Sequence, residues 1–226
     1  WHLITIVSDG AVIRVYFDGS EVYDMSRSTN SDPARTWTID KVTLGGFGRD
    51  SDEDIWNGEM AEMLVYDTNL SSSDIDGVES YLFDRYGSFP ITIQEIVDDQ
   101  GNPDPNFASL QSWLKADALT GVSEGENVSL WADSSVKGNN AVEISSGRGP
   151  VYVPDGLNGL STLRFDQSSG HALNVNGISH IFDDTDTVNA NGDNQFTVML
   201  VLQSGVTDDN LTYLGVANDF YSVGNY

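Results

Sequence analysis

The stretch "GEMAEMLVYDTNLSSSDIDGVESYLFDRYG", residues 58–87, decides how the rest of the chain is to be read. Residues 59–67 form an apolar-rich run of strand length. Ser71 followed three residues later by Asp74 has the form of a capping box, in which each side chain satisfies the other's backbone N–H. Behind it, Ile75, Val78, Leu82 and Tyr86 fall at i, i+3, i+7 and i+11, which predicts one apolar helix face over residues 72–86. Gly87 is expected to stop the helix in the left-handed conformation. Strand, capped helix and glycine stop together read as the end of a domain, yet more than half of the chain follows.

Upstream, "WHLITIVSDGAVIRVYFDGSEVY" (1–23) gives alternating runs broken at Asp9-Gly10 and Asp18-Gly19. Asp-Gly between such runs signals a hairpin, because both positions tolerate φ > 0. "WTIDKVTLGG" (37–46) is a further strand ending on two glycines. Downstream, residues 88–108 carry three prolines and "DDQGN", the composition of an acidic linker, although "ITIQEIV" could add an edge strand. From Leu110 onward, short strand candidates recur about every 8–12 residues, a sandwich spacing. They culminate in "QFTVMLVLQSG" (195–205), the most apolar strand of the chain, preceded by a long acidic loop over 181–194. One helix among many short strands predicts an all-β antiparallel sandwich rather than a βαβ fold.

These residues carry a family likeness. Residues 109–226 resemble the opening half of a bacterial laminin-G-like, concanavalin A-like jelly-roll domain. The likeness rests on Trp113-Leu114-Lys115-Ala116-Asp117, Trp131-x-Asp133-x-Ser135-x-x-Gly138-Asn139, Asn158-Gly159 and Leu163-x-Phe165-Asp166. Residues 1–87 are similar to the closing half of the same family. The resemblance implies an antiparallel jelly roll with one short helix, and it implies that neither half buries its apolar face alone. The halves stand in reverse order, closing half before linker before opening half. This predicts either a slice across a tandem array or a permuted unit, with the halves pairing within the chain or between neighbours.

Composition limits the function classes. There are 35 acidic and 10 basic residues, a net charge of −25, and no cysteine. Such a surface repels phosphate backbones and anionic membranes, so nucleic acid is not expected as a partner. No apolar run reaches the roughly 18–20 residues that span a bilayer, so membrane insertion is not expected either. With no signal peptide and no initiator Met at its start, the sequence is expected to be an interior piece of a longer or processed product. Cations are favoured, calcium above all, because it takes carboxylate and carbonyl oxygens. Candidate calcium ligands are Asp50, Asp52 and Asp54, Asp98, Asp99 and Asp104, and Asp183, Asp184 and Asp186. The first loop departs from an EF-hand, with Ile55 where glycine is required and Ala61 where the bidentate glutamate belongs. Asp133 and Asn139 read instead as an Asx-turned hairpin beneath a core Trp.

No catalytic residue is singled out. Glycanases of this fold place two carboxylates on one face of a strand. Here Glu59 and Glu62, three apart, are expected on opposite faces. For glycan stacking the candidates are Trp37, Trp56 and Tyr221, which sit near loops, whereas Trp1, Trp113 and Trp131 alternate with apolar residues as core positions do. The sequence thus predicts a non-catalytic, extracellular or cell-surface structural or adhesive repeat, calcium-stabilised. Its halves complement each other, and its partners are neighbouring copies or adjacent repeats. The alternative is a carbohydrate-binding module of a secreted polysaccharide-active enzyme, with a glycan as ligand.

Overall fold

The computed structural model describes residues 1–10, 12–26, 41–46, 56–87, 107–182, 195–205, 212–217 and 221–224. The local signals of the first 87 residues give β1 (His2–Asp9), β2 (Val12–Phe17), β3 (Ser20–Ser26), β4 (Lys41–Leu44), β5 (Gly58–Tyr66) and α1 (Ser72–Tyr86). The second half supplies β6 (Leu110–Lys115), β7 (Leu130–Trp131), β8 (Ala141–Glu143), β9 (Val151–Leu157) and β10 (Leu160–Phe165). After these come β11 (Leu173–Val175), α2 (Ser179–Phe182), β12 (Gln195–Ser204), β13 (Thr212–Ala217) and β14 (Tyr221–Gly224). The Asp-Gly turns are where the sequence puts them. Asp18 and Gly19 have φ of 49° and 77°, the paired positive values that a two-residue hairpin requires. Asp9 caps its own turn by accepting the Val12 N–H at 2.8 Å.

All pairings are antiparallel. One sheet of eight strands runs β3-β2-β1-β12-β5-β10-β9, with β6 also paired to β5; a second of six runs β14-β13-β4-β11-β8-β7. Beside β5, Glu62–Tyr66 take β6, while Gly58–Met60 take β10, so these two strands lie end to end along one edge. The other edge of β5 pairs with β12 throughout, and β12 pairs in turn with β1. β4 likewise sits between β11 and β13. The two halves of the sequence therefore pair within one chain, and each interleaves strands into the sheets of the other.

Two apolar layers result. Between the sheets lie Ile4, Leu44, Met60, Met63, Val65, Leu114, Trp131, Phe165, Val198 and Leu200, among others. On the far side of the large sheet, α1 packs Val78, Leu82 and Tyr86 against Leu3, Leu64, Tyr66, Trp113 and Val201. Strand β5 serves both layers, which explains why eight of its nine residues are buried and why its sequence is apolar without strict alternation.

The helix spans 72–86 as its sequence predicts, and both bonds of the Ser71–Asp74 capping box are made. Gly87 differs from expectation. Its φ of 127° and ψ of 147° are outside the left-handed helical region, although its N–H still closes the last turn onto the Phe83 carbonyl. A second departure is α2, which occupies the start of the predicted acidic loop. Its Ile181 and Phe182 are drawn into the core between the sheets, and Phe182 stacks on Phe196 at 4.9 Å between ring centroids. The possible edge strand in 88–108 and the remainder of the acidic loop lie outside the described residues.

Candidate functional site

The residues singled out by sequence meet different fates. Asp50, Asp52, Asp54, Asp98, Asp99, Asp104, Asp183, Asp184, Asp186 and Trp37 lie outside the described residues. Tyr221 opens β14, with its backbone opposite Val216; its side chain is outside the described part. Trp56 does not present a stacking surface. It is wholly buried, its ring 5.5 Å from that of Phe165, and its backbone N–H donates to the Gly45 carbonyl. Gly45 has φ of 78°, and a Cβ there would run into the Phe165 ring, so the tryptophan is seated by two residues far from it in sequence. Among the described residues no group of three or more His, Asp or Glu is arranged to hold a metal ion.

The Asx-turn expected around Asp133 is present. One carboxylate oxygen accepts the N–H groups of Trp113 and Ser135, each at 2.8 Å. The other accepts from the Ser135 hydroxyl at 2.7 Å and the Asn139 N–H at 2.8 Å. With four protein donors, Asp133 is committed to joining the β7–β8 turn to β6.

Glu59 and Glu62 share a face, against the simple alternation rule. In the ladder with β12, Glu62 opposes Val201 while Met60 opposes Leu202, so Ala61 is an extra residue. This β-bulge turns Ala61 and Glu62 the same way, toward α1. Glu59 also faces outward, where its carboxylate accepts from Thr162 Oγ1 at 2.7 Å and from the Arg164 guanidinium at 2.7–2.8 Å. A small cleft of about 180 Å³ opens there, lined by Asn57, Glu59, Arg164 and Gln203.

Glu62 is sealed under the helix with no exposed surface. Its carboxylate accepts from Trp113 Nε1 on β6, and from Tyr86 OH at 2.7 Å and Tyr81 OH at 3.4 Å on α1. Arg85 Nε lies 3.4 Å away, and the same guanidinium pairs with Asp117 just beyond β6. The Lys115 ammonium sits over the Trp113 ring, 4.5 Å from its centroid. Burial pushes the Glu62 carboxyl up from its ordinary value, and the donors Trp113 and Tyr86, with the Arg85 charge, pull back. A carboxylate so placed cannot meet a substrate, but it fastens α1 and β6 to β5 at one point. A signal for it exists in the sequence: Glu62 is a charge in the middle of the apolar run "MAEMLVY".

At the far end of the helix a cleft of about 260 Å³ lies between α1 and the start of β1. Trp1, Phe83 and Tyr86 supply aromatic walls, and His2 and Asp18 supply polar groups at the rim. Asp18 is held in place by the Leu3 N–H at 2.9 Å and by His2 Nδ1 at 3.0 Å. Sequence patterning placed Trp1 in the core; it is in fact half-buried at this opening.

Comparison with known proteins agrees with the architecture. No curated protein and no solved structure matches the chain. A family model does match, covering residues 1–76, the segment that contributes β1–β5 and the first turn of α1. That model is described as Laminin_G_3, concanavalin A-like lectin/glucanases superfamily; residues 1–76 are similar to it, and the two-sheet antiparallel sandwich of the described residues, with α1 on one face, is consistent with such a jelly roll.

Proposed function

We propose that this protein is a non-catalytic structural or adhesive β-sandwich repeat of an extracellular or cell-surface protein, stabilised by calcium and set beside copies of itself or adjacent repeats. One observation carries this reading: β5 takes β6, β10 and β12 from the other half of the same chain, so the sandwich closes on itself. A unit whose two halves pair with each other is suited to act as one bead of a series. This departs from a filament built by complementation between subunits. The non-catalytic reading is supported by Glu62 being sealed and by Glu59 being held by Thr162 and Arg164. The calcium reading is supported by the charge of −25, whose self-repulsion a bound divalent cation relieves.

The test is solution mass over a wide concentration range, together with melting in calcium and in EDTA. A concentration-independent monomer whose melting temperature drops in EDTA is expected. Dimers that exchange strands would overturn the self-contained repeat, and an unchanged melting temperature would remove the calcium.

A second reading, a carbohydrate-binding module, is favoured by the aromatic cleft at Trp1, Phe83 and Tyr86. Aromatic faces beside a carboxylate and an imidazole suit a sugar ring and its hydroxyls. Binding on a glycan array that Trp1→Ala abolishes would support it; binding indifferent to Trp1 would exclude this cleft.

A further inference from the structure

A second carboxylate is buried under α1, and it is furnished quite differently from Glu62. Glu79 is 4% exposed, on the helix face turned to β1. Its one hydrogen-bond donor among the described residues is Thr5 Oγ1, at 2.8 Å to Oε1. The turn of the β2–β3 hairpin closes over its other oxygen, since a Cβ on Gly19 would stand 3.7 Å from Oε2. The charged and titratable groups around it are Asp76 on α1, Asp18 in the hairpin turn and Tyr16 on β2. His2 on β1 shares the Asp18 carboxylate, and when charged it screens Asp18. Among the described residues no lysine or arginine forms an ion pair with Glu79. A buried carboxylate with one donor and two acidic neighbours is far better accommodated neutral than ionised.

We propose that the seam between α1 and the β1–β2–β3 edge of the large sheet is a proton-operated joint: neutral Glu79 lets the helix and the hairpin turn close over Thr5, and its ionisation loosens both. The direction agrees with the upward push that burial gives this carboxyl, to which Asp76 and Asp18 add and which Thr5 opposes. Among the described residues the joint lies at the end of the sheet where β2 and β3 pair only with each other and β1, so it can open without parting β5 from β6 and β12. Glu62 is set apart from this joint by Trp113, Tyr86 and Arg85, which oppose the upward push of burial on its carboxyl, and Glu79→Gln tells the two groups apart.

The test is hydrogen exchange on the whole chain from pH 4.5 upward to 8.5, corrected for intrinsic exchange. Segments 72–86 and 12–26 should lose protection as pH rises, by at most about tenfold per pH unit for one proton, while 160–165 holds. Glu79→Gln keeps the shape and the acceptor for Thr5 but does not titrate, and should abolish the slope. A slope that survives Glu79→Gln, or one shared equally by 160–165, would overturn the joint. The carboxyl-carbon NMR titration of the unmodified protein gives an independent answer. Glu79 titrating above the ordinary 4.5 is expected, and titration at or below it would overturn the proposal.

Discussion

Two glutamates lie under one helix, and they teach opposite lessons about burying a charge. Glu62 sits at the centre of Trp113, Tyr81, Tyr86 and Arg85, so its ionised form is met by N–H and O–H groups from both α1 and β6. Glu79 has Thr5 and two acidic neighbours. Burial raises both carboxyls, but only at Glu62 do donors and a cation answer it. The first is a fastening between the halves of the chain; the second is a point where the same helix is held less securely.

The largest effect that would break this contrast is at Glu62. Glu62→Ala strips the acceptor from Trp113, Tyr86 and Arg85 at once and should cost about 3–5 kcal/mol in urea unfolding, the range for opening a buried pair. A loss below about 1 kcal/mol would mean that the cluster is not a fastening. Glu79→Ala should cost less, about 1–3 kcal/mol near pH 4.5, since it removes one neutral hydrogen bond and some packing. That cost should shrink as pH rises. Burial lifts the folded carboxyl above its unfolded value of 4.5, so between the two values the folded protein holds the extra proton. The stabilisation is complete below the unfolded value and fades as pH rises through the folded one. A cost that grows with pH would reverse the assignment. The smallest expected effect is at the cap: Ser71→Ala should cost about 1 kcal/mol, equally at low and high pH, because it weakens the helix itself and not its seat.

How far the sequence discloses these features depends on how local their causes are. The ends of α1 are legible because the capping box and the i, i+3, i+7 pattern act within a few residues. The Asp18-Gly19 hairpin is legible for the same reason. Glu79 left a trace, four residues after Ile75 and three before Leu82 on the apolar face, but the spacing alone cannot say whether such a residue is buried. Trp56 was misplaced because its neighbours in sequence are acidic and loop-like, whereas its neighbours in space, Gly45 and Phe165, come from two distant segments. The common face of Glu59 and Glu62 was hidden because the bulge exists only in register with β12, which lies more than a hundred residues away.

By itself the sequence determined an antiparallel sandwich, one capped helix and a net charge of −25. Periodicity, turn chemistry and charge balance act through short range or bulk composition, so one strand of text suffices to read them. Only the tertiary structure decided that the halves complete each other within the chain, that β5 is the strand on which they meet, and that one of two glutamates under α1 is compensated. Those outcomes depend on which side chains arrive from distant segments, and pairing across such separations is fixed by burial and register in the folded chain.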